Sequence, residues 1–461
     1  MGFRVANGSL IRLSRVMRFA FFIGLLIATI MLPVSALPQP SAWVKERMTY
    51  TSGDSWFVDA AFGPDGTLHF TWLDDSIGTY EVYYNYRTNA GSYGTPFRLT
   101  SSGVIYKDPP RIAVGPDGDV IIVWAENRGG GKSIYYRWRQ SDTGWQPEQI
   151  YTASTSDPSY ENPSHPDVAI NSLDVAAVAW HSYISGGGGT THVFVDGVQV
   201  GGAYLTSACY PRIVFDKNNN LCLVYMALRL TTILGDWNGW EVRDRFRSPN
   251  GEWGPEARLA GGGNQLDGIN AMFPDIAVGD PSNTRCFAYL QEGPPIGPSP
   301  TDTLEVYCRV GSIGGSSVEV DGYGVHDIEH SVRPSVQISS AGTVLAVWSK
   351  EYSGQTTIYC AEVNNNVVTD YQRPLTETGI ERPIILIDEA ISQRIYIIYE
   401  DYSLGGNAGE LWLIKSPQGV VPEFPSFLIL PLFMIATLLA VIVYRRKQFQ
   451  MQKNNYSDLI K

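Results

Sequence analysis

Residues 110–124, PRIAVGPDGDVIIVW, alternate apolar and polar side chains, break at Gly-Pro-Asp-Gly, then run apolar into a tryptophan. A period of two marks strands. The break suits a tight turn, because proline presets one dihedral and glycine tolerates positive φ. The stretch therefore reads as a β-hairpin. Six relatives recur along the chain: VDAAFGPDGTLHFTW, PDVAINSLDVAAVAW, PRIVFDKNNNLCLVY, PDIAVGDPSNTRCFAY, PSVQISSAGTVLAVW and PIILIDEAISQRIYIIY.

Their openings fall near Val58, Pro110, Pro166, Pro211, Pro274, Pro334 and Pro383. Such a spacing marks a propeller or a solenoid, and the two-residue alternation excludes the helical solenoids. Each unit adds a third strand, such as SIYYRW or TTIYCAE, and a weaker fourth, such as GTPFRLT, WQPEQIY or GPEARLA. Four antiparallel strands make one propeller blade. The seventh unit ends at GELWLIKS without a fourth strand, while WVKERMTYT, residues 43–51, precedes the first unit with nothing to pair. The N-terminal strand is expected to complete blade seven and leave no open edge. The expected fold is all-β: a seven-bladed β-propeller over residues 37–417.

The two ends read differently. Arg4, Arg12, Arg15 and Arg18 precede an apolar run at 19–32, and VSA offers small residues for cleavage. Residues 1–36 thus read as a signal peptide, with an uncleaved anchor as the alternative. After a linker at 418–426, residues 427–444 form a second apolar run of 18 residues. At about 1.5 Å each these span about 27 Å, enough for a transmembrane helix in a lipid bilayer. Arg445, Arg446 and Lys447 follow, which places the tail, 445–461, in the cytoplasm and the propeller outside. The expected location is a single-pass cell membrane protein with an extracellular domain.

Nine of the 34 basic residues, but one of the 46 acidic ones, lie in these two ends, so the segment between them is at −20. Nucleic acid is a poor partner for such a surface. Five cysteines are present. Cys286 and Cys308 are expected on adjacent strands of one blade, where a disulfide or two buried thiols would both fit. No cofactor is implied. HDIEH, 326–330, has the spacing of a zinc-protease motif but lies between strands, whereas that chemistry needs a helix. DKNNN lacks the glycine and distal glutamate of a calcium loop. No metal site is expected.

First and second strands are joined by short turns. Second-to-third and fourth-to-first connections are longer and share the opposite face, where binding usually resides. At the mouth of the innermost strands stand Asp59, Arg111, Asp167, Arg212 and Asp275, with Arg333 and Arg382 two positions earlier in their blades. Alternating signs suit blade-to-blade ion pairs. The competing reading is a set of guanidiniums that grips a carboxylate bidentately. Trp72, Trp124, Trp180, Tyr225, Tyr289, Trp348 and Tyr399 recur at one slot of the second strands. Such a set packs between blades or, with Trp124 and Trp180 as candidates, meets a ligand. Asp74, Glu126, His181, Glu292 and Glu400 follow closely in sequence. The candidate ligand-binding residues are Arg111, Arg212, Arg333, Arg382, Asp59, Asp167, Asp275, Trp124, Trp180 and His181.

Between third and fourth strands, RQSDTGW, RSPNGEW and RTNAGSY are shortened forms of S-x-D-x-G-x-x-W. On these the chain resembles the sialidase-like propellers with Asp-box (BNR) repeats. That resemblance implies an arginine triad for a substrate carboxylate, a tyrosine nucleophile aided by a glutamate, and an aspartate acid/base. PRIAV and PRIVF place Arg111 and Arg212 near the family's first arginine, in a different local order. VPEFPS, before the second apolar run, resembles the anchor region of archaeal surface proteins. Three functions compete: a surface propeller that binds glycan or protein ligands, a sialidase-like glycoside hydrolase, and a structural cell-envelope component.

Overall fold

The computed structural model describes residues 43–417 apart from 105–106, 129–131, 152–162, 185–187, 201–204, 207, 229–238, 262–269, 280–282, 293–303, 312–316, 321–332, 353, 365–366, 389–393 and 404–408. The signal segment, linker, second apolar run, tail and HDIEH all lie outside the described residues. Among the described residues no helix is long and apolar enough to cross a membrane.

Seven antiparallel sheets follow one another along the chain. Blade one consists of Ser55–Phe62, Leu68–Asp74, Glu81–Arg87 and Phe97–Arg98. The first strands of blades two to six are Arg111–Val114, Pro163–Ile170, Ala208–Phe215, Ala271–Gly279 and Ser335–Ile338. Blade seven has three strands of its own, Ile380–Asp388, Arg394–Asp401 and Glu410–Lys415. Its fourth is the N-terminal strand Val44–Arg47, which pairs antiparallel with the last one, Val44 opposite Lys415 and Arg47 opposite Trp412. Met48 N–H continues the ladder to the Leu411 carbonyl at 2.8 Å. The fold is an all-β, seven-bladed β-propeller closed by its N-terminal strand.

Second strands are covered by neighbouring blades on both sheet faces, which is why they read as apolar runs rather than alternations. In Val120–Asn127 every residue but the last is buried. The seven recurring aromatics are all in this layer, each at most 1% exposed. Five stack on an aromatic of the third strand: Trp72 on Tyr83 at 5.6 Å, Trp124 on Tyr135 at 6.1 Å, Trp180 on Phe194 at 4.8 Å, Tyr289 on Tyr307 at 6.1 Å and Trp348 on Tyr359 at 5.7 Å. The cores lie between blades. Met48, Leu411 and Leu413 of blade seven pack with Val58, Leu68 and Trp72 of blade one.

The short turns share one geometry. Gly63 N–H donates to the Thr67 carbonyl and Gly66 N–H to the Gly63 carbonyl, and Gly115/Asp119 with Gly118/Gly115 repeat this pattern. Gly66 and Gly118 have φ of 76° and 81°; Asp174 and Asn219 take the same left-handed place in blades three and four. Asp and Asn tolerate that region better than other side chains. In DKNNN the Asp216 carboxylate accepts Asn218 and Asn220 N–H, each at 2.8 Å, so it braces its own turn. All five cysteines are buried free thiols. Cys286 lies opposite Val310 and Cys308 opposite Ala288, offset along the ladder, so of the two expected outcomes the structure has the thiols.

Ring closure predicts a stability effect far from any site. Met48 is 4% exposed. Met48→Ala is expected to cost about 2–5 kcal/mol, read as a lowered urea midpoint. An unchanged midpoint would mean that the N-terminal strand does not hold the ring.

Candidate functional site: the arginine mouth

Each inner strand begins at the loop-rich end of the central channel. There a charge network runs from blade to blade. Arg111 Nη1 lies 3.3 Å from Asp59 and its Nε 3.9 Å from Asp167. Arg212 Nη1 lies 3.2 Å from Asp167 and its Nε 3.5 Å from Asp275. The second carboxylate oxygens accept backbone N–H groups of the following blade: Asp59 from Ile112 at 2.9 Å, Asp167 from Ile213 at 2.8 Å, Asp275 from Val336 at 2.9 Å. Two junctions use other groups. Ile385 N–H donates to Ser335 Oγ at 3.4 Å, and Phe57 N–H to Glu400 Oε1 at 2.7 Å. Every blade junction thus has a polar link at this level.

Burial pushes the Asp167 carboxyl up, with Arg212 and Arg111 acting against the rise. Burial also works against the Arg212 charge, but Asp167, Asp275 and Asp59 outweigh it and hold the guanidinium above its ordinary value. Arg111 is lowered by burial and by Arg212.

A second ring lies two residues earlier: Phe57, Pro109, His165, Tyr210, Phe273, Arg333 and Arg382. Phe57, His165, Tyr210, Phe273 and Arg382 have φ between 47° and 54°. A register shift follows in each of these strands, such as that between Ser164 and Asp167. The left-handed bulge re-aims a side chain. A non-glycine residue held there carries about 1–3 kcal/mol of strain, and such residues cluster at functional sites. Five in one position mark this mouth.

Arg382 is paired: Nη1 is 2.6 Å from Glu400, and Tyr402 Oη donates to the same carboxylate. Burial opposes the Arg382 charge, but Glu400 outweighs it and raises the guanidinium. Arg333 differs. No carboxylate among the described residues pairs with it; it lies over the rings of Phe273 at 5.0 Å and Tyr210 at 5.9 Å. Burial, then Arg111, Arg382 and Arg212, push it down to about 10. Two adjoining cavities of about 50 Å³ each share Arg111, Arg212, Arg333, Pro109 and Pro334 in their walls. One reaches His165, Tyr210 and Phe273, the other Phe57, Arg382 and Glu400.

Beneath the mouth, the rings of His165 and His181 stack at 5.1 Å, and Tyr210 N–H donates to His181 Nδ1 at 3.3 Å. His165 is pushed down to about 3 by burial and by Arg333, Lys132, Arg111 and Arg212. His181 falls to about 3 through burial and His165. Both are neutral at pH 7.

The structure therefore brings Arg111, Arg212, Arg333 and Arg382 together, with Asp59, Asp167 and Asp275 as ion-pair partners of Arg111 and Arg212. His181 lies under the mouth, fully buried. Trp124 and Trp180 are 0% and 1% exposed between blades, so neither offers its ring to a ligand. Asp74 and Glu126 are buried and accept the indole N–H of Trp72 and Trp124, each at 3.1 Å. Sequence reasoning missed Phe57, His165, Tyr210, Phe273 and Tyr402. The first four could have been found as the residues two before the inner-strand charge.

No family model matches the chain, and no curated protein matches it. Among solved structures it is similar to an ulvan lyase of polysaccharide lyase family PL25, with a TM-score of 0.54 at 9% identity over 82% of this chain and 98% of that one. It is also similar to an α-L-arabinanase of Penicillium chrysogenum, TM-score 0.47 at 13% identity over 83% and 97%. A third is the β-propeller domain of the trilobed protease of Pyrococcus furiosus, TM-score 0.44 at 11% identity over 82% and 98%. Identities this low establish a shared fold and nothing finer.

Two stability predictions follow from the mouth. Asp167→Ala removes a buried partner of two arginines and leaves Ile213 N–H unpaired, at an expected cost of about 3–5 kcal/mol. Arg333→Ala, which removes like-charge repulsion, is expected to leave the urea midpoint unchanged or raise it; equal losses in the two variants would contradict the assignment. The second concerns pH. The unfolded imidazoles protonate near 6.5 and the folded His165 and His181 near 3, so the unfolded chain binds more protons between these values. Stability is expected to fall as pH drops from about 6.5 toward 3. Urea midpoints at pH 7 and 4.5 should differ less in the His165→Gln/His181→Gln double variant than in the wild type.

Proposed function

We propose that the chain is a membrane-anchored cell-surface propeller that holds an anionic group of a glycan or protein ligand in the arginine mouth. Arg333 carries this reading: a largely buried guanidinium over two aromatic rings, with no carboxylate partner among the described residues and three further arginines around it. Desolvated guanidiniums favour bidentate contacts to carboxylate or sulfate. Each cavity is about 50 Å³. The two cavities adjoin and share Arg111, Arg212 and Arg333 in their walls, so an anionic group entering the mouth meets three guanidiniums. The body of the ligand would then rest on the rim, where Phe57, Tyr210 and Phe273 supply apolar faces. An ulvan lyase of the same fold has been solved bound to -[GlcA(1-4)Rha3S]-, which is consistent with an acidic glycan here.

A second reading, a sialidase-like hydrolase, is favoured by one observation. Tyr402 Oη donates to Glu400, itself held by Arg382, which is the tyrosine–glutamate pairing that chemistry needs. Burial and Glu400 raise the Tyr402 hydroxyl well above its ordinary value, so attack would require Glu400 to take the proton. Turnover of fluorogenic sialosides that Tyr402→Phe abolishes would establish the hydrolase; binding without turnover would leave the first reading. A structural envelope component would show neither.

For the binding reading, Arg333→Ala is expected to weaken an oligoglucuronate by about 10- to 100-fold in calorimetry, the range of a charge-assisted hydrogen bond of about 1.5–3 kcal/mol. Affinity should fall with added salt. Undiminished affinity in Arg333→Ala would exclude the mouth as the site.

A further inference from the structure

The chain leaves the propeller at the end opposite the mouth. In blade seven, Arg382 stands two residues into Ile380–Asp388, at the loop-rich end. The strand then runs down to Asp388, which faces Arg394 across the short-turn end. The last strand, Glu410–Lys415, descends the same way. Ser416 and Ile395 exchange hydrogen bonds there: Ser416 N–H to the Ile395 carbonyl at 2.9 Å, and Ile395 N–H to Ser416 Oγ at 2.9 Å. Val44, opposite Lys415, brings the N-terminal side of the chain to the same end.

From Arg382 to Asp388 the strand covers about 20 Å at ~3.3 Å per residue. The linker at 418–426 has nine residues, Pro422 and Pro425 among them. Fully extended it reaches at most about 30 Å. Turning the mouth onto the bilayer would require this linker to climb the side of blade seven and pass the rim loops, using nearly all its length. With the short-turn end toward the membrane, the linker needs no such excursion.

We infer that the arginine mouth is presented away from the anchoring membrane. Its anionic ligand is then free in solution or carried on an opposing surface, and is not a headgroup of the bilayer that holds the chain. This rests on the membrane-anchor reading but is independent of which anionic ligand binds.

The test uses the full chain in phosphatidylcholine vesicles. Leu173, 71% exposed on a short turn, and Ile77, 51% exposed on the loop-rich face, are replaced singly as Leu173→Cys and Ile77→Cys. The five native thiols are buried, so a maleimide donor added outside the vesicles reports the new position on outward-facing propellers. Both variants should keep the wild-type melting temperature, since both side chains are exposed. Energy transfer to an acceptor on the lipid headgroups is expected to be at least twofold greater from position 173 than from position 77. Equal or reversed transfer in a chain that floats with the vesicles would overturn the presentation alone. A chain that does not float with them would overturn the anchor, and the presentation with it.

Discussion

The ring depends on a polar link across each blade junction at the level of the channel mouth. Asp59, Asp167 and Asp275 each do two jobs, accepting a backbone N–H of the next blade and facing one or two arginines. Buried carboxylates of this kind are costly unless paired, and buried backbone donors are costly unless accepted. Each need answers the other. Alternation of sign can run from Asp59 through Arg111, Asp167 and Arg212 to Asp275. It cannot close on itself around an odd number of blades. At the sixth and seventh places the inner slot holds Ser335 and Ile384, and the cations move two residues outward as Arg333 and Arg382. Glu400 answers Arg382. Arg333 lies over two aromatic rings, with no carboxylate partner among the described residues. The charge of Arg333 is thus set by its own outer position in blade six.

Most of that arrangement sits on strands, where a side chain is held more tightly than on a loop, while Arg333 stands just before its strand, Ser335–Ile338. Five left-handed bulges aim the second ring of residues. Their strain is borne by ladders that resume two residues later, at Asp59, Asp167, Arg212, Asp275 and Ile384. A mouth so built is rigid before a ligand arrives, which limits the ordering cost of binding.

Much of this was legible in the sequence, and the limits have physical causes. The hairpin repeat and the orphan strand at 43–51 are local patterns, so blade count and ring closure could be read directly. The alternating charges were legible because each occupies a fixed slot. The bulge was not, because an added residue in one strand shows only against its partner. Phe57, His165, Tyr210 and Phe273 were therefore passed over. Trp124 and Trp180 were read both as packing and as ligand contacts; a periodicity of two cannot tell a sheet face covered by another blade from one turned to solvent. Arg333 was found, but its lack of a carboxylate partner among the described residues depends on which strands meet in space.

The N-terminal strand has a consequence for synthesis. Lys415 reaches Glu46 across 369 positions of chain. The first strand made must wait for the last, so this closure is the most non-local contact in the ring, and such contacts form slowly. Until then the edge of blade seven is open, and an open edge invites pairing with another chain. The waiting strand reads VKER. Three charges in four residues keep it soluble and unattractive as a template, and they are consumed on arrival: Lys45 by Glu377, Glu46 by Arg87 and Lys415, Arg47 by Glu410. The latch is a safeguard against aggregation until the moment it shuts.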